Sequence, residues 1–113
     1  MRYDIEPVAK PRMTRRDKWA KRPCVLRYNA FKDKCRWQRV KVPASCRVIF
    51  HMPMPAGWSR DARAAYEGQP HQQKPDLDNL LKGLMDAVLK EDSHVFDVRA
   101  EKRWSSKPGI EVL

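Results

Sequence analysis

The sequence predicts a single small α+β domain over residues 1–113, one mixed sheet with helices on one face. Three observations predict it. Ser45 to Met52 is dense in β-branched and aromatic residues and stops at Pro53, the marks of a strand. Leu77, Leu80, Leu81, Leu84, Met85 and Val88 recur at the spacing of an amphipathic helix, which places one over about 77–89. His94 to Arg103 then alternates apolar and charged residues as a second strand would, and the chain of 113 residues is the length of one domain.

The remaining elements follow in order. Tyr3-Asp4-Ile5-Glu6 alternates and meets Pro7, a short first strand. Ala9 to Pro23 reads as a loop, broken by Pro11 and Pro23 and basic at nearly every second position, with Trp19 its one aromatic. Val25, Tyr28, Phe31 and Cys35 fall at near-helical spacing, which predicts a helix over about 24–37 with Pro23 in its first turn. Arg60 to Glu67 is a candidate short helix stopped by Gly68, and 68–75 is loop. Pro75 blocks helix upstream of Asp76, which leaves Asp76 as the N-cap of the leucine-striped helix. Lys107-Pro108-Gly109 signals a turn, and Ile110 to Leu113 is a terminal strand placed to pair back as a hairpin.

Charge narrows the function. The formal net charge is +10, which points to a polyanionic partner. Lys10 to Lys41 holds 13 basic and 2 acidic residues, a local +11, against 11 basic and 12 acidic elsewhere, or −1. Cys24, Cys35 and Cys46 are an odd count without paired spacing, which fits reduced thiols rather than a disulfide framework or a zinc site. No stretch nears the roughly 20 apolar residues of a membrane span, and Met1 is followed by no signal-peptide core. The expectation is a cytoplasmic protein without a membrane partner.

The acidic residues gather where the charge balance turns. Asp76 stands at the mouth of the leucine-striped helix, Asp78 in its first turn, and Lys82 four residues on, sharing a face with Asp78. Asn79 and Asp86 join that polar side, and Glu91-Asp92 follows the helix. Mg²⁺ takes oxygen ligands and commonly only one or two carboxylates, with water and phosphate completing the shell. Held there, it would polarise a phosphoryl oxygen and lower the pKa of an attacking water, with Lys82 beside the developing charge. The plainer reading is structural: aspartates at a helix start cap it and complement its dipole, and Asp78 with Lys82 is an ordinary ion pair. The +11 segment weighs toward function, because carboxylates alone would repel a phosphate that a cation lets approach.

These residues resemble the signature of the RusA family of Holliday-junction resolvases. The frame Asp-x-Asp-Asn-x-x-Lys-x-x-x-Asp-Ala stands here as Asp76-Leu77-Asp78-Asn79-Leu80-Leu81-Lys82-Gly83-Leu84-Met85-Asp86-Ala87, followed by Glu91-Asp92-Ser93-His94-Val95. Ala9 to Thr14 is similar, more weakly, to an entry loop of such proteins. The resemblance implies a RusA-like fold and a homodimeric, Mg²⁺-dependent endodeoxyribonuclease (Mn²⁺ substituting) acting on four-way junctions in recombination and repair. It implies Asp76, Asp78 and Asp92 as metal ligands and Lys82 as catalytic helper, with no small-molecule cofactor. Two departures are visible: Glu91 stands where Asp is common, and the connection from Asp86 to Asp92 is short.

Lys10, Arg12, Arg15, Arg16, Lys18 and Lys74 are the candidate DNA contacts, basic side chains that would neutralise phosphates. Trp19 would stack on an unpaired base or wedge a branch point, or else anchor the core. Lys102, Arg99 and Arg103 are candidates to extend the basic surface, and His94 to support Asp92. The rival readings are a non-catalytic DNA-binding protein whose aspartates only cap a helix, and a nucleotide-directed phosphoryl-transfer enzyme. The second would need a phosphate-cradling glycine loop, and the chain has 4 glycines without that spacing.

Overall fold

In the computed structural model, residues 1–11 and 22–113 are described. The elements run β1 (Arg2–Tyr3), α1 (Pro23–Trp37), β2 (Ser45–Pro53), α2 (Arg60–Tyr66), α3 (Leu77–Val88), β3 (Asp97–Ser105) and β4 (Gly109–Val112). The strands form one mixed sheet in the order β1-β4-β2-β3, with β2 and β3 parallel and the other two pairings antiparallel. The α+β class is as expected.

The most apolar strand occupies the middle. Val48, Phe50 and Met52 of β2 are buried on one face, level with Ala100, Lys102 and Trp104 of β3, and Val48 and Phe50 are also level with Val112 and Ile110 of β4. That face carries the core with Tyr28, Phe31 and Cys35 of α1 and Leu80, Leu84 and Ala87 of α3. The opposite face bears ion pairs: Glu101 between Arg47 and Arg103, and His51 with Glu111 at 3.0 Å. The two guanidiniums hydrogen-bonded to Glu101 hold its carboxyl below the usual range.

The expected terminal hairpin is absent: β4 pairs with β2 and β1, not with β3. The chain ends β2 at Pro53, so the short turn after β3 can pass that end and lay β4 along the other edge of β2. This gives both backbone edges of the central strand a partner, which a β3–β4 hairpin would not. The first strand is also shorter than expected, although Ile5 beyond it is buried. The third strand starts at Asp97 rather than His94, because Ser93 and His94 lie in a turn where the Val95 amide donates to the Asp92 carbonyl at 3.0 Å.

Two contacts fix α3. Tyr28 Oη of α1 donates to the Gly83 carbonyl at 2.8 Å, and burial, then Asp86 and Cys35, push its phenol up to about 12. A side chain at Gly83 would meet the backbone of Lys10 and Val8 at 3.0 and 3.1 Å, tighter than ordinary contact, so glycine lets the 8–10 segment lie this close without a shift of either.

Candidate nuclease site at the mouth of α3

The leucine stripe seats α3. Leu80 and Leu84 are fully buried, which turns Asp78, Asn79, Lys82 and Asp86 to the exposed side. Asp76 has N-cap backbone geometry, and its carbonyl accepts from the Leu80 amide at 3.1 Å, yet its side chain makes no capping hydrogen bond. Among the described residues, Asp78 Oδ1 accepts only from the adjacent Asn79 amide at 2.9 Å. No ion pair joins Asp78 to Lys82 among the described residues, and neither Asp76 nor Lys82 has a side-chain hydrogen bond or ion pair there. Of the plainer reading, the capping bond and the i,i+4 pair do not form among the described residues, while Asp78 in the first turn still complements the helix dipole.

Asp92 is placed differently. It lies exposed in the loop beyond the end of α3, whereas Asp76 and Asp78 stand at its start. Twelve helical residues separate the two ends by about 18 Å. Among the described residues no group of three or more His, Cys, Asp or Glu could hold a metal ion. The three aspartates are thus not brought together as one cluster within this chain. Asp76 and Asp78 remain, two exposed oxygen donors at one helix mouth, and that donor chemistry fits Mg²⁺, which accepts few protein carboxylates. Glu91 accepts from Ser93, and His94 is exposed.

The basic candidates divide. Arg12, Arg15, Arg16, Lys18 and Trp19 lie outside the described residues, as does most of the loop expected over 9–23. Lys10 is paired with Asp86 at 2.5 Å, and its amide donates to the Asn79 carbonyl, so it ties the start of the basic segment to α3. Lys74 is exposed two residues before Asp76. Helix α1, packed beside α3, adds exposed Arg27, Lys34 and Arg36. Of the residues expected to extend that surface, Arg103 is bonded to Glu101 and to the Gly68 carbonyl. Lys102 reaches inward to the carbonyls of Gln73 and Pro75.

A cleft of about 500 Å³ opens beside Lys74 and Pro75, walled by Met52, Met54, His71 and Trp104 and edged by Arg27. His71 is buried there against the Trp104 ring, with centroids 4.2 Å apart and Nδ1 unpartnered. Burial, and then the Lys102 charge, push its pKa down. The cleft was not foreseen, since its walls come from five separate segments with no shared motif.

A basic α+β domain thus carries two exposed carboxylates at one helix mouth. The chain belongs to the RusA endodeoxyribonuclease family, whose description, "Endodeoxyribonuclease RusA", matches residues 4–113. It is also similar to "Uncharacterized protein YqaN" of Bacillus subtilis (strain 168), 33% identical over 79 residues, which is 63% of this chain and 56% of that protein. The match thus spans little more than half of the relative's length. No solved structure matches. Among the described residues, no helix is long and apolar enough to cross a membrane.

Proposed function

We propose that this protein is an endodeoxyribonuclease that resolves four-way DNA junctions by phosphodiester hydrolysis, serving recombination and repair in the cytoplasm. The observation that carries the reading is the mouth of α3. Asp76 and Asp78 stand exposed without capping or pairing there, with Lys82 one turn on and a basic helix alongside. Family membership supports the reaction class.

Asp76 and Asp78 would hold a divalent cation, Mg²⁺ with Mn²⁺ able to replace it; Asp92, which the resemblance implies as a third ligand, stands beyond the other end of α3 and is not assigned to the same ion. When bound, the ion supplies positive charge to a phosphoryl oxygen. The carboxylates orient it, and Lys82 offers an ammonium to the oxygen on which charge develops. The oxygen of water would bond to phosphorus as the bond to the bridging sugar oxygen breaks; the proton that the water gives up balances the one that the departing oxygen takes to become a hydroxyl. Lys74, exposed beside Asp76, and the segment bearing Lys10, Arg12, Arg15, Arg16 and Lys18 engage phosphates. Lys10 would do so by exchanging its Asp86 partner.

A synthetic junction and a linear duplex, each with Mg²⁺ and with chelator, test the reading. The expected outcome is Mg²⁺-dependent cutting of the junction only. Asp76→Asn and Asp78→Asn should abolish cutting while binding persists or tightens, since a negative charge facing phosphate is removed. Asp92→Asn should keep Mg²⁺-dependent cutting, and its loss would bring Asp92 into the site. Lys82→Ala should lower turnover more than affinity, because alanine is a good helix former and the fold is spared. Full activity in both Asp76→Asn and Asp78→Asn would leave a non-catalytic DNA-binding protein as the better reading.

A further inference from the structure

On the helix-facing side of β3 the register runs Val98, Ala100, Lys102, Trp104. Three positions are apolar or aromatic, and one is a lysine level with the fully buried Phe50. A half-buried ammonium is costly unless its hydrogens find acceptors. Lys102 Nζ finds two, the carbonyl of Gln73 at 2.6 Å and that of Pro75 at 2.7 Å.

Those two bonds continue an attachment that the backbone begins. Residues 68–71 lie along the outer edge of β3: the Gly68 amide donates to the Trp104 carbonyl, the Trp104 amide to the Gln69 carbonyl, and the His71 amide to the Lys102 carbonyl, at 2.9 to 3.0 Å. That ladder stops at His71. From Gln72 to Pro75, the Lys102 ammonium makes the only hydrogen bonds to the sheet among the described residues. The next residue is Asp76.

We propose that Lys102 is a positioning residue for the nuclease site: by gripping the carbonyls on either side of Lys74 it sets where the Asp76 carboxylate stands. The proposal rests on the reading of Asp76 as a cation ligand. Groups that orient a ligand typically change metal affinity or activity about 10- to 100-fold when removed.

Charge and position predict opposite signs, which makes the test decisive. Deleting a nearby cation would by Coulomb's law tighten binding of a divalent ion, whereas losing the grip on Pro75 should weaken it. Mn²⁺ alone is titrated into the full-length protein, without DNA, and free Mn²⁺ is followed by electron paramagnetic resonance. Lys102→Met is expected to bind Mn²⁺ about tenfold more weakly or worse, with kcat on a junction falling about as much and KM within about twofold. Lys102→Arg, which also offers two donors in one plane, should recover most of both. Binding in Lys102→Met as tight as in the wild type, or tighter, overturns the proposal. Lys102→Gln is read by the same criterion if circular dichroism finds Lys102→Met unfolded. Asp76→Asn runs in parallel: if it binds Mn²⁺ like the wild type, the assignment of Asp76 fails, and the role of Lys102 fails with it.

Discussion

At the scale of single residues, the difference between Asp76 and an ordinary cap is one missing hydrogen bond. An N-cap aspartate normally accepts from an amide of the first turn and contributes about 1 kcal/mol by doing so. Asp76 keeps the backbone geometry and leaves its carboxylate unused for that purpose, so Asp76→Asn should cost little stability while removing activity. The motif around it was legible because its residue types and spacing sit together in the chain. Lys102 was not: in the sequence it is one more lysine in a basic protein, and only the register of β3 turns it inward. A charge in the inward phase of an alternating strand is the signal that could have found it. His71 was equally hidden, and its burial has a pH consequence. Its folded pKa lies below the ordinary 6.5, so between those values the unfolded chain takes up protons that the folded one refuses. The stability from keeping this ring neutral is present above about pH 6.5 and lost as pH falls toward the folded value. Glu101, whose carboxyl is also held low, acts in a more acidic window. Urea midpoints at pH 7.5 and 5.5 should drop for the wild type and drop less for His71→Phe. Equal drops in both proteins would show that His71 does not drive the loss.

At the scale of elements, periodicity located the helices well, since each is defined by contacts within a few residues. Pro23 opens α1 and Pro75 precedes α3 as the dihedral limits of proline demand. Ser59 caps α2 by accepting from the Ala62 amide at 3.1 Å. Strand partners were less legible. Nothing within Ile110 to Leu113 distinguishes β2 from β3 as its neighbour; the choice is made by which strand is apolar enough to need both edges covered. The end of α1 carries a local misfit. Arg39 has φ 55°, a left-handed conformation, and the Val40 amide donates to the Cys35 carbonyl at 3.1 Å in the pattern usually closed by glycine. A side chain there costs roughly 1–2 kcal/mol, offset in part by the greater freedom glycine gives the unfolded chain. Arg39→Gly should therefore stabilise by about 0.5–1 kcal/mol and raise Tm by a few degrees. A lower Tm in a thermal melt would mean that the arginine side chain contributes more than its backbone costs.

At the scale of the whole molecule, the charge is arranged rather than merely large. Lys10 to Lys41 is +11 and the remainder −1, and the packing of α1 on α3 sets Arg27, Lys32, Lys34 and Arg36 of that segment on the helix beside the acid-bearing one. A strand would then meet positive charge on its way to the carboxylates, instead of their repulsion. In the proposed activity one helix mouth per chain would supply one cut, yet resolving a four-way junction takes two, in strands related by approximate two-fold symmetry. A C₂ homodimer, the commonest closed assembly, would supply both. Strand periodicity alone offers Val48, Phe50, Val95 and Trp104 as apolar residues for its interface. The fold corrects this: Val48, Phe50 and Trp104 are buried within the chain and Val95 is half-buried. The sheet needed them for its own core, which strand periodicity alone does not reveal. Among the described residues the most exposed large apolar side chains are Trp37, 88% exposed at the end of α1, and Phe96, 81% exposed just before β3. If two chains pair through either, Trp37→Glu or Phe96→Glu should shift the protein toward the 13.3 kDa monomer in sedimentation at micromolar concentration. Paired cutting should then fall to single nicks, while nicking per chain persists. A wild-type protein that sediments as a monomer and still cuts both strands in one binding event would refute the dimer.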